Sequence, residues 1–259
     1  MLRRVPAFLL ILLASPAAAQ FEGRAEYALH SEKGGDGHLT LLVSKFGART
    51  DMRMASGSQT KGLQVTTLVR VSEPRRAYLI NDDRKMFSVV DVPADDTVEG
   101  QYKVERTGRE QIAGHACEKA VVTLEGNGHM EVCVTMQFGV IPVIGAFRGG
   151  SRKGNFFGAL DKAGLTGLPV RWQTFDVSGK VESSVQLESA KREKVPAEKL
   201  RVPAGYQQGS ALDAFATPEQ KQRIEESMER ARQQLERLPP DQQKRAQEMM
   251  KDRGSGARP

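Results

Sequence analysis

The chain has 259 residues, of which 39% are hydrophobic and 27% are charged, and its formal net charge is +6 at pH 7. This composition is typical of a soluble globular protein with one large domain or two small ones. No basic stripe with interleaved aromatic residues occurs, and no stretch after the first twenty residues is apolar enough for a transmembrane helix, so neither nucleic-acid binding nor membrane spanning is expected.

The first 19 residues have the pattern of a secretory signal peptide. Arg3-Arg4 forms a basic start, residues 8–14 form a short apolar core, and Ala17 and Ala19 occupy the −3 and −1 positions of a cleavage site. Such a core is too short to cross about 30 Å of hydrocarbon. We therefore expect the mature chain to begin at Gln20 and the protein to be periplasmic or secreted.

From residue 21 onwards the dominant hydrophobic period is two, which predicts half-buried strands. Tyr27 and Leu29, for example, alternate with Glu26 and His30. Short polar turns such as Asn81–Asp83 separate the alternating segments, and such turns favour antiparallel pairing. Strands are predicted at roughly 21–30, 38–46, 63–71, 76–80, 85–92, 101–106, 115–123, 129–137, 168–176 and 180–189.

Residues 139–166 interrupt this pattern with an apolar run, a glycine-rich basic loop and a short helix predicted at about 155–164. The helix either plugs the open face of the sheet or forms a lid over an apolar ligand groove. In the second interpretation Phe156, Phe157 and Leu160 present one apolar surface, because Leu160 follows the two phenylalanines by about one helical turn. The predicted groove residues are Phe147, Phe156, Phe157, Leu160 and Trp172.

Composition changes after about residue 208, which predicts a β-rich domain at 20–207 and a charged helical tail at 208–259. Thr217–Gln220 is a helix start with a Thr cap, a Pro and a capping-box Gln. Ile224, Met228 and Leu235 then form a narrow apolar seam. The helix either lies against its own domain or binds another envelope protein through this seam. A second short helix is predicted at about 241–252, followed by a disordered end.

The sequence carries no readable active site. The histidines, at positions 30, 38, 115 and 129, lack metal-ligand spacing, and no nucleophile elbow, phosphate loop or dinucleotide fingerprint is present. Neither a catalytic residue, a metal nor a cofactor is predicted. The residues of an active site can be distant in the sequence, so the absence of these motifs does not exclude an enzyme. It does mean that no feature of the sequence supports an enzymatic function.

Cys117 and Cys133 are the two cysteines, and export would expose them to an oxidising compartment. A hairpin that turns at Leu124–Gly126 places them opposite each other and also pairs a lysine with a glutamate. A rival register packs Val122 against Val132 and leaves the sulfurs too far apart to bond. Charge pairing and compartment favour the first register, so a structural disulfide is predicted.

Three parts of the sequence resemble a known family. Residues 106–119, with the sequence RTGREQIAGHACEK, are similar to a strand pair of domain-of-unknown-function family 4412. Residues 167–172 and 202–206 resemble the end of that family's domain, and 238–243 resembles tails seen after it. Cys133 departs from the pattern, because many members have an aromatic residue at its position.

This family is grouped with the LolA/LolB-like envelope proteins, so the resemblance implies an unclosed antiparallel β half-barrel with helices over its concave face. Better-known relatives carry lipoprotein acyl chains or sense envelope lipids. The resemblance and the alternation together predict a mainly β fold. The resemblance also implies a periplasmic, non-enzymatic protein that binds an acyl chain, a lipid or a lipoprotein. The alternatives are a protein-interaction module acting through the tail helix and, less favoured, an enzyme on the same scaffold.

Overall fold

The computed structural model describes residues 21–32, 34–55, 63–92, 102–124, 128–139, 156–236 and 239. The predicted signal peptide with its cleavage site, Phe147 and the helix predicted at 241–252 lie outside these residues. The strands are β1 Gly23–Ser31, β2 Gly35–Ser44, β3 Gly47–Met54, β4 Leu63–Arg70, β5 Glu73–Asn81, β6 Met86–Asp91, β7 Tyr102–Ile112, β8 His115–Leu124, β9 His129–Thr135, β10 Leu168–Phe175, β11 Val181–Arg192 and β12 Gln207–Gln208. The helices are α1 Phe156–Lys162, α2 Ala211–Phe215 and α3 Pro218–Glu236, with a 3-10 helix at Ala197–Leu200.

The described strands form one sheet in the order β12-β6-β5-β4-β3-β2-β1-β11-β10-β9-β8-β7. Its pairs are antiparallel except for the short parallel pair of β12 with β6. The two outermost strands, β12 and β7, are not paired with each other, so the sheet is unclosed. The predicted fold class, a mainly β protein with an unclosed antiparallel sheet, an inserted helix and a helical tail, is confirmed.

Alternation divides the chemistry of the sheet between its two faces, because successive side chains of a strand point to opposite sides. On β1–β4 one face carries only uncharged side chains, such as those of Tyr27, Leu39 and Met52. The opposite face carries the charged side chains of these strands, among them Arg49 and Asp51. We name the uncharged side the helix face and the charged side the loop face, after the segments that cover them.

Helix α1 packs against the helix face of β7–β9. Leu160 and Leu165 are buried in a cluster with Ala120, Val122 and Val132. Burying one leucine side chain contributes roughly 1.5–3 kcal/mol, so these contacts are enough to hold a seven-residue helix that would not be stable alone. The helix predicted at 155–164 therefore exists and lies on the sheet.

A crossing segment, residues 193–206, follows β11 and covers the loop face of β2–β6. Val195 and Leu200 are buried there against Leu68, Tyr78 and Ile80. Because Leu68, Tyr78 and Ile80 lie on the loop face, alternation alone predicts that they are exposed to solvent. The crossing segment gives the sheet a second, smaller apolar core on its otherwise polar side.

The Gly167–Pro169 motif has a packing reason. A Cβ atom on Gly167 would lie 2.1 Å from the carbonyl oxygen of Thr135, so only glycine permits this approach of β10 to β9. Two residues later, the Pro169 carbonyl accepts a hydrogen bond of 3.1 Å from the buried hydroxyl of Tyr27. The motif thus connects three strands.

The predicted disulfide between Cys117 and Cys133 is present, with Cα atoms 5.4 Å apart, but both predicted registers are wrong. Val122 lies opposite Met130, which places Cys133 opposite Lys119 and diagonal to Cys117. The twist of paired strands brings a diagonal neighbour within bonding reach. One register therefore satisfies both the apolar pairs on the helix face and the disulfide on the loop face, and the expectation that they exclude each other was wrong.

The residues just beyond the predicted boundary at 208 pack on the sheet. Ala214 is fully buried, and its carbonyl accepts a hydrogen bond of 2.7 Å from the Asn81 amide. Helix α3 then begins as predicted: the backbone N–H of Thr217 donates to the Gln220 side chain at 2.8 Å, and that of Gln220 donates to the Thr217 hydroxyl at 3.2 Å. The capping box ends the packed part of the tail and starts an exposed helix.

Candidate ligand-binding site on the helix face

Two overlapping rows of apolar side chains cross the helix face. The register places Val65, Met52, Leu39, Tyr27 and Leu187 side by side on β4, β3, β2, β1 and β11. The second row consists of Leu29, Val185, Trp172, Val132 and Ala120 on β1, β11, β10, β9 and β8. Together the rows span eight neighbouring strands without a charged side chain.

Burial changes along these rows. Leu187 and Val132 are buried, whereas Leu39, Met52 and Val65 are only half-buried. Strands lie about 4.8 Å apart, so the five spacings from β4 to β10 measure about 24 Å. An acyl chain spans half of a bilayer core, or about 15 Å. The helix face is therefore wide enough to take an extended acyl chain across its strands.

Trp172 is the one tryptophan of the sequence and lies where the two apolar clusters of the sheet meet. Its indole is half-buried, and its centroid is 5.7 Å from that of the Tyr27 ring at a tilted angle. Complete burial raises the pKa of Tyr27 far above its usual value, so this phenol stays neutral. The centre of the helix face is an apolar, uncharged environment.

Of the five predicted groove residues, the structure brings Leu160 and Trp172 into one cluster. Leu160 is 2% exposed and belongs to the contact between α1 and the sheet. Phe156 and Phe157 begin α1, but their side chains, like all of Phe147, lie outside the described part of the chain. The groove assignment as a whole stays a prediction.

Leu39, Met52 and Val65 were not predicted as ligand contacts from the sequence. The signal was present, since each residue occupies an apolar position in an alternating segment. What alternation cannot tell is which strands become neighbours and how far a covering helix reaches. Only the register reveals that these three side chains form one continuous surface.

The described residues contain no cluster of three or more His, Cys, Asp or Glu side chains that could hold a metal ion. The His30 Nδ1 lies 2.6 Å from Oδ1 of Asp36, and the His38 Nδ1 lies 3.7 Å from Oε2 of Glu188. His129 stacks on the Phe175 ring. These contacts are those of surface histidines at strand positions.

On α3 the predicted seam is exposed to solvent. Ile224 is 39% exposed and Met228 is 63% exposed, while Leu235 is half-buried. The near end of the helix is anchored by Lys221, which donates to Asp213 at 2.8 Å and contributes most to lowering the pKa of that carboxyl to about 2. Within the described ranges, no helix has the length and apolar character needed to cross a membrane.

A model of the family described as Domain of unknown function (DUF4412) matches residues 21–206, which include β1 to β11. An uncharacterized conserved protein from Thermus thermophilus is similar in structure, with 12% identity, a TM-score of 0.46 and coverage of 73% of this chain and 91% of that one.

A chain of the Pseudomonas aeruginosa MucA/MucB complex gives 13% identity and a TM-score of 0.43, and the match covers 72% of this chain and only 56% of that one. A putative outer membrane lipoprotein-sorting protein domain from Vibrio parahaemolyticus gives 8% identity, a TM-score of 0.28 and coverage of 68% and 86%. A comparison with curated proteins finds no match.

Proposed function

The chain belongs to the family described as Domain of unknown function (DUF4412), and we propose that it is a non-enzymatic protein of the cell envelope that holds an acyl chain, a lipid or a lipoprotein on the helix face of its sheet. The observation that carries this proposal is the pair of apolar rows across eight strands. An apolar surface of this width stabilises a bound acyl chain by about 0.8 kcal/mol for each methylene group removed from water.

The proposed compartment follows from two independent features. The first 19 residues have the pattern of a secretory signal peptide. The disulfide between Cys117 and Cys133 is of the kind that persists in oxidising compartments and is rare in the cytosol. Both features support a periplasmic or secreted protein.

In the proposed complex, the acyl chain lies on Leu39, Met52 and Val65 and reaches Trp172 at the centre of the face. These positions are half-buried, so a ligand can still remove part of their surface from water. Phe147, Phe156 and Phe157 are proposed to line the same groove, and Leu160 anchors α1 on the sheet.

Trp172 provides the test. Titration of the purified mature protein with palmitate should change the intensity and emission maximum of this single indole in a saturable way. Native mass spectrometry after mild purification should show a co-purified acyl compound. If palmitate leaves the fluorescence unchanged and no lipid co-purifies, the proposal is wrong.

Adjacent residues of β1 supply a matched pair of variants. Leu29→Lys places a charge on the helix face and should weaken palmitate binding by at least about tenfold, or 1.4 kcal/mol. Ala28→Lys adds the same charge to the loop face and should leave the affinity within about twofold. Urea unfolding of both variants separates lost affinity from lost stability.

A second function is favoured by the exposure of Ile224 and Met228, because an amphipathic helix with an unpartnered apolar seam can dock in a groove of another protein. This interaction with an envelope protein would use Ile224, Met228 and Leu235. A partner that cross-links to the intact protein should no longer cross-link to the double variant Ile224→Asp with Met228→Asp. Cross-linking should persist in the control variant Gln222→Ala with Glu225→Ala.

A further inference from the structure

A polar cavity lies on the loop face, beneath the crossing segment. Its volume is about 560 Å³, which is within the range of small-molecule sites. The floor is formed by loop-face residues of β2–β4, including Thr40, Arg49 and Gln64, and the roof by residues 193–199. Because alternation points these side chains away from the helix face, this cavity is separate from the proposed acyl site.

The roof is fixed in place by one buried apolar contact and two hydrogen bonds. Val195 is buried against the sheet, and its backbone N–H donates to the Glu22 carboxylate at 3.1 Å. The Arg49 guanidinium donates to the Lys199 carbonyl at 3.5 Å. The crossing segment is thus held at both ends of the cavity, so the cavity is part of the folded structure.

The acidic groups of the cavity are already neutralised or hydrogen-bonded. Asp51 accepts from the Arg49 Nε at 2.9 and 3.0 Å and from the Thr66 hydroxyl at 2.5 Å. Asp82 accepts from the Tyr206 hydroxyl at 2.9 Å. Glu193 forms an ion pair with Lys191, which lies outside the cavity, and its Oε2 is 3.8 Å from the lysine Nζ.

Three of the cavity's cations have no such partner. In the described part of the chain, no ion pair includes Arg53, Lys194 or Lys199. Arg53 comes from β3, and Lys194 and Lys199 come from the crossing segment, so the cations approach the cavity from its floor and from its roof. All three are exposed and available to a ligand.

We propose that this cavity binds a phosphate ester, either a soluble phosphorylated molecule or the headgroup of a phospholipid. Its lining contains five Arg or Lys side chains and three Asp or Glu side chains, an excess of two positive charges. A phosphomonoester carries about −1.5 to −2 charges at pH 7 and offers three strong acceptor oxygens, whereas the phosphodiester of a phospholipid headgroup carries a single negative charge and offers two such oxygens. Arginine and lysine are the side chains that recognise such oxygens through charge-assisted hydrogen bonds.

Two double variants test the proposal. Arg53→Gln with Lys194→Gln removes two cations from the cavity. Arg75→Gln with Arg76→Gln removes the same charge from exposed positions of β5 outside it. Any general effect of net charge is therefore equal in both variants, and only a local site separates them.

The first probe is inorganic phosphate, titrated into the mature protein and followed by the backbone amide resonances. We expect saturable shifts around Arg53 and Val195, at least about tenfold weaker binding in the cavity variant, and a change within about twofold in the control. The second probe is co-sedimentation with phosphatidylcholine vesicles that do or do not contain phosphatidylglycerol.

Phosphate binding without vesicle binding identifies a soluble ligand. Binding to phosphatidylglycerol vesicles that the cavity variant alone loses identifies a lipid headgroup. No saturable binding of either probe, or equal loss in both double variants, overturns the proposal. Because inorganic phosphate has no acyl chain, and Leu29→Lys should leave phosphate binding unchanged, failure here is distinct from failure of the acyl site.

Discussion

The disulfide between Cys117 and Cys133 gives the sharpest test of what stabilises this fold. Exchanging both residues for alanine removes a link that closes a loop with a sequence separation of 16. In the chain-entropy description, releasing a loop of this length stabilises the unfolded state by about 3 kcal/mol. Both cysteines are buried, so alanine also leaves small cavities, and about 3 kcal/mol is the expected minimum.

A nearby ion pair supplies the matched control. Arg171 lies opposite Cys133 and donates to Glu110, opposite Cys117, at 2.7 and 3.1 Å. The pair therefore connects β10 to β7 on the same face as the disulfide. Its side chains are partly exposed, so Arg171→Gln should cost only about 1 kcal/mol or less.

Urea unfolding followed by Trp172 fluorescence measures both free energies. The double alanine variant should lose at least about 3 kcal/mol and show a larger dependence on urea, because its unfolded state is less compact. Reduction of the native protein should cause a similar loss and leave the variant unaffected. A loss below about 1 kcal/mol in the double variant would refute this reasoning, since the cross-link would then not restrict the unfolded chain.

Three further predictions concern the core, the acid limb of stability and the tail. Leu160→Ala should lower the free energy of unfolding in the same urea assay by about 2–5 kcal/mol, because the side chain is buried between α1 and the sheet. A loss below about 1 kcal/mol would show that Leu160 does not anchor α1. Hydrogen bonds from Arg171 hold the pKa of Glu110 below its usual range, so its stabilisation is present above the unfolded-state pKa and is lost as pH falls through the lower folded-state pKa. Glu110→Gln should therefore lose less stability than the native protein between neutral and acidic pH, and equal pH profiles would contradict this. A chain that ends at Thr217 should keep the native thermal transition. A chain that ends at Gln208 should lose about 1–3 kcal/mol of unfolding free energy, because it lacks the buried contacts of α2. Equal thermal transitions of the two chains would show that these contacts do not stabilise the sheet.

Strand positions were predictable where the alternation has strong contrast. In β1, Tyr27 and Leu29 alternate with Glu26 and His30, and the strand was found. Strand β3 was missed although Ala48, Thr50 and Met52 alternate with charged residues, because alanine and threonine mark a buried position weakly. Strand β12 has two residues, too few for any period to be visible.

The pairing of β8 with β9 was not predictable for a different reason. Both predicted registers are defined by residues that lie directly opposite each other, whereas the disulfide joins diagonal neighbours. Shifting a register by two residues keeps every side chain on its face, so the hydrophobic pattern cannot distinguish the alternatives. The predicted bond was right because the compartment argument does not depend on register.

The candidate sites depend on contacts between segments that are distant in the sequence, and for this reason alternation could not locate them. Residues 193–199 roof a cavity whose floor comes from strands more than a hundred residues earlier. The same strands supply the apolar rows on their other side: Leu39 and Met52 face one way, and Thr40 and Arg53 the other. Since a strand side chain reaches only one face, a substitution at one strand position changes one candidate site, and a substitution at the next position changes the other face and serves as its control.

An acyl chain on the helix face and a phosphate in the loop-face cavity would be separated by the backbone of the sheet. The acyl chain and the phosphate of a single lipid could therefore occupy both sites only if the lipid passed around an edge of the unclosed sheet. Testing Leu29→Lys and the Arg53/Lys194 variant against the same phosphatidylglycerol vesicles therefore decides whether the two faces act on one amphiphile or on two different ligands: joint loss indicates one, and independent loss indicates two.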